Sequence, residues 1–141
     1  LRTGVVLSRE AGLVQKVLPL AKMGFSPIPG NGNQWLPWVH IEDIAAMYVF
    51  ALEHNQISGI YNACADAENQ PDYATFIQIL GRQLHRPLLK PHIPGPLLKG
   101  MLGELAEVIL NGSRVSAKKL QEAGYSIQLP TIREALSAGL R

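Results

Sequence analysis

Residues 30–43 have the sequence GNGNQWLPWVHIED, in which a glycine-rich loop, two indoles, an extended stretch and an acidic helix start follow one another. A loop of this composition can wrap a small ligand, because an indole supplies an apolar wall and an amide or imidazole supplies hydrogen bonds. The loop is therefore a candidate ligand-binding site. Its candidate residues are Gln34, Trp35, Trp38 and His40. In the structural alternative, Trp38 belongs to the core, Trp35 closes the loop and Asp43 serves the helix N-terminus.

The segment before this loop predicts a strand and a helix. The run from Thr3 to Leu7 is continuously apolar and β-branched, which is typical of a strand covered on both faces in a parallel sheet. Apolar residues at helical spacing then predict a helix that ends near Gly24. Residues 24–37 are too rich in Gly, Pro and Asn for regular structure, and loops of this length are often functional.

The segment after the loop predicts the clearest helix of the chain. Glu42 and Asp43 fall in its first turn, where acidic side chains favour the helix dipole, and the helix ends near residue 54. Its apolar face is predicted to consist of Ile44, Met47, Tyr48, Ala51 and Leu52. Residues 57–63 predict a short strand.

The second half of the chain is predicted to be mainly helical. Pro71 and Asp72 open one helix, residues 86–96 are held extended by four prolines, and a further helix runs from about residue 97 to 110. A short helix over 116–122, a short strand over 126–129 and a final helix behind a Thr131–Glu134 capping box complete the order. This pattern indicates an α/β fold, or α+β for this piece taken alone.

Composition limits the class of protein. The chain has 141 residues, of which 47% are hydrophobic and 17% charged, with a formal net charge of +2, so we expect one domain with a real core. The longest apolar stretch, residues 94–110, is interrupted by charges and is too short for a bilayer span, so no membrane association is predicted. The single Cys64 excludes an internal disulfide, lacks partners at metal-ligand spacing and favours a reducing, cytoplasmic location.

Catalytic motifs are missing from residues 1–141. The stretch Gly30-x-Gly32-x-x-Trp35 has a tryptophan where a dinucleotide-binding loop needs its third glycine. No tyrosine is followed four residues later by a lysine, and there is no G-x-S-x-G nucleophile motif. We therefore assign no catalytic residue to this chain.

Several motifs together resemble a known family. They are RTGVVLS at 2–8, the loop above, Gly59-Ile-Tyr-Asn62, the spacing Phe76, Leu80, Leu84, Arg86-Pro87, and the tail over 116–136. Their order resembles the C-terminal half of extended short-chain dehydrogenase/reductases, the NAD(P)-dependent epimerase/dehydratase proteins. The stretch GELA at 103–106 with Ile109-Leu110 is similar to a sugar-nucleotide-epimerase-like subfamily that ends in a domain of unknown function.

The resemblance implies a fold and a division of labour. Residues 1–141 are expected to be the C-terminal substrate-binding lobe of a Rossmann-type enzyme, with residues 1–85 as late strands and helices and residues 86–141 as a C-terminal helical segment. The nucleotide loop and the Tyr/Lys pair of such enzymes lie in an N-terminal half. That half is expected to hold most of the NAD(P), with NADP favoured, and this chain, which opens on Leu1 inside a strand, is expected to be a non-catalytic fragment.

Two departures from the family pattern bear on the substrate. Nucleotide-sugar members carry an arginine two residues after the loop glutamine, where this chain has Leu36. They also carry an asparagine three residues after the arginine of the first strand, where this chain has Val5. Both changes remove polar ligands for a nucleoside diphosphate. The substrate predicted is therefore a small carbonyl compound or alcohol, or a sugar-like molecule, bound by the four loop residues with Arg114 as a further candidate.

A basic stretch leaves alternatives open. Between Arg82 and Lys119 lie seven Lys or Arg residues and two glutamates, a set that could face an anionic ligand or a cofactor phosphate, or simply cover solvated helix faces. The absence of interleaved aromatics argues against nucleic acid. The alternative to an enzyme part is a non-catalytic module that senses cofactor or binds a protein partner, and the sequence leaves the oligomeric state open.

Overall fold

Short parallel strands and longer helices make up the fold. The computed structural model of the chain describes residues 1–102, 107 and 110–140. In chain order the elements are β1 (Arg2–Thr3), β2 (Val5–Leu7), α1 (Gly12–Lys22), β3 (Ile28–Pro29), β4 (Trp38–His40), α2 (Ile41–Glu53), β5 (Asn62–Ala63), a 3₁₀ turn (Ala67–Asn69), α3 (Tyr73–Gln83), β6 (His92–Ile93), α4 (Gly95–Leu102), α5 (Lys118–Glu122) and α6 (Ile132–Leu140).

The strands form three parallel pairs. β1 pairs with β5, β2 with β4, and β3 with β6, so each pair joins segments far apart in sequence. The predicted strand over Thr3–Leu7 is divided at Gly4, where a Cβ would lie 2.8 Å from the Pro37 carbonyl oxygen. The expectation that both faces of this strand are covered is confirmed for β2, where Val5 and Leu7 pack against one hydrophobic cluster and Val6 packs against another, but not for Thr3 in β1, which is exposed.

Two hydrophobic clusters lie on opposite sides of β4. Trp38 belongs to a cluster with α1, α3 and α6, and Val39 belongs to a second cluster with α2 and α5. This division follows from strand geometry, since successive side chains point to opposite faces. β4 therefore anchors the end of the candidate loop in both halves of the core.

The helix that follows the loop starts where the sequence predicts, but its apolar face differs. Ile44 and Met47 are buried, whereas Tyr48 is 49% exposed and Leu52 is 81% exposed. The strand predicted over 57–63 is shorter, since pairing with β1 reaches only Asn62 and Ala63.

In the second half, helix starts follow their capping residues. The Asp72 carboxylate accepts the Thr75 N–H at 2.7 Å and begins α3. At the start of α6, the Glu134 N–H donates to the Thr131 hydroxyl oxygen at 3.3 Å and the Thr131 N–H donates to the Glu134 carboxylate at 3.2 Å, which confirms the capping box. The strand predicted over 126–129 is wrong; this segment is irregular.

The helix predicted over 97–110 is confirmed as far as Leu102 by α4. Its predicted inward residues Leu105 and Ile109, and the GELA stretch at 103–106, lie outside the described residues. No helix in the described part of the chain has the length and apolar character to cross a bilayer.

Candidate functional site

An uncharged cavity of about 460 Å³ lies between the candidate loop and the segment after residue 110. It is lined by Val5, Leu13, Gln34, Trp35, Leu36, Pro37, Tyr73, Asn111, Gly112, Ser113 and Val115. None of these described lining residues carries a formal charge. Burial raises the pKa of the Tyr73 hydroxyl, which keeps this group neutral as well. The cavity therefore suits a neutral ligand with a large apolar part.

Backbone hydrogen bonds hold the two walls of the cavity together. The Trp35 N–H donates to the Gly112 carbonyl at 3.2 Å, and the Tyr73 N–H donates to the Gln34 carbonyl at 3.0 Å. Gly112 approaches so closely that a Cβ there would overlap the Trp35 carbonyl oxygen. Glycine at position 112 is thus a requirement of the wall geometry.

Gln34 is the buried polar group of the cavity wall, with 8% of its surface exposed. Its Nε2 donates to the Pro29 carbonyl at 3.0 Å. A carbonyl oxygen can only accept, so this bond fixes which end of the amide is nitrogen. The other end, Oε1, is buried without a hydrogen-bond partner among the described residues. Leaving such an acceptor unpaired costs about 1–3 kcal/mol. The atom itself has almost no exposed surface, so a ligand in the cavity reaches it only if the Gln34 side chain shifts.

Trp35 and Arg114 meet in the structure although they are far apart in sequence. The Arg114 guanidinium lies 3.7 Å from the centroid of the Trp35 ring, a cation–π contact. Trp35 lines the uncharged cavity, whereas Arg114 lines a neighbouring cavity of about 420 Å³ with Arg2, Asn62 and Ser116. Arg114 therefore supports the indole wall from outside the uncharged cavity.

The remaining two candidates do not line this cavity. Trp38 is 0% exposed, packs in the core and donates its indole N–H to the Asn69 carbonyl at 3.1 Å. His40 is 3% exposed, and its Nδ1 accepts the Glu42 N–H at 3.3 Å, which caps α2. The structure thus places Trp38 as the core alternative has it and His40 at a helix start. Contact between either residue and a substrate stays a prediction.

Gln70 shapes the cavity although no sequence pattern singles it out. Its Nε2 donates to the carbonyls of Ala65 and Val115, both at 2.7 Å, and its Oε1 accepts the Val115 N–H at 3.0 Å. With 2% of its surface exposed, Gln70 ties the cavity-lining Val115 into the protein interior. One glutamine after a polar turn carries no signal that distinguishes it from a surface residue.

The seven basic residues of the 82–119 stretch do not form one surface. Lys99 pairs with Glu107 at 3.0 Å, Lys118 pairs with Glu122 at 3.6 Å, and Lys119 lies 4.2 Å from the ring of Tyr61. Arg114 is occupied by Trp35. The remaining three lie together at the end of α3; they are Arg82, Arg86 and Lys90.

Comparison with known families agrees with this architecture. The model of the NAD dependent epimerase/dehydratase family matches residues 10–64, and that of a Domain of unknown function (DUF1731) matches residues 93–138. The chain belongs to the NAD-dependent epimerase/dehydratase family. The α/β fold predicted from the sequence is confirmed, and the structural neighbours that cover the chain are Rossmann-type epimerases.

Individual members of the family match nearly the whole chain. The mouse epimerase family protein SDR39U1 is 36% identical over 135 residues, which are 96% of this chain and 45% of that protein. The crystal structure of human SDR39U1 isoform 2 with NADPH superposes with a TM-score of 0.89 at 30% identity, covering 98% of this chain and 46% of that one. The dTDP-glucose 4,6-dehydratase DesIV from Streptomyces venezuelae shares the fold, with a TM-score of 0.69 at 19% identity. That superposition covers 99% of this chain and 41% of DesIV. The chain spans less than half the length of these relatives.

Proposed function

We propose that residues 1–141 form the substrate-binding portion of an NAD(P)-dependent epimerase, dehydratase or reductase that acts on a neutral carbonyl compound or alcohol, sugar-like molecules included. This proposal rests on the uncharged cavity and on Gln34, a residue of the cavity wall whose Oε1 has no hydrogen-bond partner among the described residues. In it, Gln34 accepts a hydrogen bond from a substrate hydroxyl. Trp35, held by Arg114, forms an apolar wall that excludes water and orients the substrate.

The two departures from the family pattern support a neutral substrate. Val5 and Leu36, the positions where nucleotide-sugar members carry asparagine and arginine, both line the cavity. An anionic diphosphate placed there would lose its hydration without gaining a charged partner, which is costly. Substrates without a nucleoside diphosphate are therefore favoured.

The nicotinamide cofactor belongs to the proposal through the family and through the NADPH bound to human SDR39U1. The described residues of this chain do not fit a complete dinucleotide site. Gly30 and Gly32 follow the two-residue strand β3 and lead into an irregular loop rather than into a helix N-terminus. We therefore place most of the NADP-preferring site and all catalytic residues outside residues 1–141. We also propose that the whole protein works in the reducing environment of the cytoplasm.

The test uses the protein at its full natural length. NADPH and NADH are titrated, and neutral aldehydes, ketones and nucleotide sugars are then screened for cofactor oxidation. The expected result is turnover of a neutral carbonyl compound. Gln34→Leu should raise KM about tenfold, the cost of one buried hydrogen bond to the substrate, while NADPH affinity is unchanged. Gln15→Leu, on the exposed side of α1, is the matched control.

Two outcomes would contradict the proposal. Tight binding of a nucleotide sugar would show that Leu36 and Val5 do not exclude a diphosphate. NADPH binding without turnover of any carbonyl compound or alcohol would favour the non-catalytic, cofactor-sensing alternative.

A further inference from the structure

Positively charged side chains gather at the C-terminal end of α3, away from the uncharged cavity. Two neighbouring cavities, of about 470 and 280 Å³, share Arg82 and His85 in their walls. We call them together the α3 groove. The larger one extends over Arg86 and Lys90, and the smaller one is completed by Arg133 from α6. Three separate parts of the chain therefore contribute cations to one groove.

No carboxylate balances these charges within the described part of the chain. Neither cavity has an aspartate or glutamate among its described lining residues. The ion pairs formed by described residues involve Lys99 and Lys118, so Arg82, Arg86, Lys90 and Arg133 have no acidic partner there. Arg86 is held at the rim, because its Nη1 donates to the Lys22 carbonyl at 2.8 Å, and its other N–H donors remain for a ligand.

The helix dipole accounts for only one of these cations. A basic residue in the last turn, such as Arg82, is favoured by the negative end of the helix. Lys90 and Arg133 belong to other segments and gain nothing comparable from that dipole. Their position around the same groove points to a ligand instead.

His85 adds backbone strain at the wall shared by both cavities. It has a φ of 53°, in the left-handed region, and is the non-glycine residue with positive φ in the described chain. Two hydrogen bonds close the end of α3 in a Schellman motif: Arg86 N–H donates to the Gly81 carbonyl, and His85 N–H donates to the Arg82 carbonyl. Glycine is the usual residue at the position that His85 occupies in this motif. Histidine there costs about 1 kcal/mol relative to glycine. Strain of this kind is concentrated at functional positions.

We propose that the α3 groove binds a small molecule carrying phosphate groups, with Arg82, Arg86, Lys90 and Arg133 as its ligands. Four permanent cations match the multiple charge of a phosphate ester or diphosphate better than that of a single carboxylate, and guanidinium groups bind phosphate oxygens in pairs. Leu88 gives the larger cavity an apolar wall for an organic part of the ligand.

This site is separate from the substrate cavity. Tyr73 lines the substrate cavity at the first residue of α3, and Arg82 lies nine residues further along the helix. At 1.5 Å per residue the two are about 14 Å apart along the axis. The proposal of a ligand site in the α3 groove therefore does not depend on the proposed function of the substrate cavity.

The test measures pyrophosphate binding by calorimetry on the protein at its full natural length, at constant ionic strength. The double variant Arg82→Gln/Arg133→Gln is compared with Lys16→Gln, which removes one charge from the exposed side of α1. We expect the double variant to weaken binding about tenfold or more, since it removes two charge-assisted contacts. Lys16→Gln should bind like the wild type. His85→Gly, which keeps all four proposed ligands, should raise the stability of the fold because it relieves the strain at positive φ.

Three outcomes would overturn the proposal. Pyrophosphate could fail to bind the wild type beyond the effect of sodium chloride at equal ionic strength. The double variant could bind as well as the wild type. Citrate, a carboxylate polyanion, could bind as tightly as pyrophosphate, which would make the groove a general cationic surface rather than a phosphate site.

Discussion

The hydroxyl of Tyr125 donates a hydrogen bond to the buried carboxylate of Asp43, with 3.0 Å between Oη and Oδ1. The same carboxylate accepts the N–H groups of Gln128 at 2.9 Å and Leu129 at 3.0 Å. Asp43 is 1% exposed, so these three donors replace the water that an ionised carboxylate would otherwise need. The first turn of α2 is thereby fixed to the segment that precedes α6.

Removal of this carboxylate should destabilise the fold strongly. Asp43→Ala leaves the N–H groups of Gln128 and Leu129 without an acceptor and leaves the Tyr125 hydroxyl only the backbone carbonyl of residue 43, at 3.2 Å. We expect a loss of about 3 kcal/mol in the free energy of unfolding. Urea denaturation measures it. Glu42→Ala, at an exposed position of the same helical turn, is the control and should change stability by less than about 1 kcal/mol. Equal losses in the two variants would mean that the helix dipole, rather than the link to residues 125–129, is what Asp43 supplies.

Tyr125 should make the stability depend on alkaline pH. Burial, followed by the hydrogen bond to and the charge of Asp43, raises the pKa of the Tyr125 phenol above its ordinary value of about 10. The fold therefore favours the neutral phenol. Its contribution is fully present below pH 10 and is lost as the pH rises above that value, because the unfolded chain then releases the proton first. Tyr125→Phe should weaken the decline in unfolding free energy above pH 10, whereas Tyr48→Phe, at an exposed site, should leave the decline as steep as in the wild type.

Asp43 also illustrates what sequence patterns can and cannot predict here. Two acidic residues before an apolar stripe correctly predicted the start of α2, because that signal is local. The pattern did not reveal that the Asp43 side chain turns inward to a segment more than eighty residues later, or that His40 supplies the cap. In the candidate loop, residue type could not separate Trp35, which lines the cavity, from Trp38, which is core. Gln70 and Arg133 act through contacts across the fold, which no local spacing records.

Cys64 should be chemically protected in the folded protein. Its thiol is 1% exposed, and burial, with the charge of Asp66 adding to it and a hydrogen bond from Gln70 opposing it, raises its pKa from 9.0 to about 11. The thiolate is the reactive species, so we expect a thiol reagent at pH 8 to modify the native protein about a hundredfold or more slowly than the urea-unfolded chain. Native modification as fast as that of the unfolded chain would contradict the burial of this residue.

Two glycines should respond in opposite ways to the same substitution. Gly112→Ala forces a methyl group into the Trp35 carbonyl and should destabilise the protein by about 2 kcal/mol or more, because the two cavity walls must separate. Gly100→Ala, inside α4, adds a Cβ that has no atom of another described segment within 4 Å, and should stabilise the protein by up to about 1 kcal/mol through helix propensity. Thermal unfolding of both variants tests the pair. A neutral Gly112→Ala would mean that the wall around residue 112 is free to move.

Gln70 should control both the stability of the fold and the position of the cavity wall. Gln70→Leu leaves the Val115 N–H and the Ala65 carbonyl unpaired and leaves the Val115 carbonyl only the weak hydrogen bond from the Cys64 thiol. We expect a loss of about 2–3 kcal/mol in the free energy of unfolding. The loss should be concentrated at the wall, so amide hydrogen exchange at Val115 should accelerate far more than exchange in α2. Gln56→Leu, at an exposed position, serves as the control for both measurements.

A second substitution separates these hydrogen bonds from simple packing. Gln70→Glu keeps the shape of the side chain, but an ionised carboxylate would face two carbonyl oxygens that can only accept. A protonated carboxyl can instead donate to one carbonyl while its other oxygen accepts the Val115 N–H. The fold therefore raises the pKa of the introduced glutamate, and its favourable contribution is present at low pH and lost as the pH rises. Relative to wild type, Gln70→Glu should be less destabilised at pH 4 than at pH 7, while Gln70→Leu should show the same deficit at both. A pH-independent deficit in Gln70→Glu would mean that residue 70 acts through its shape alone.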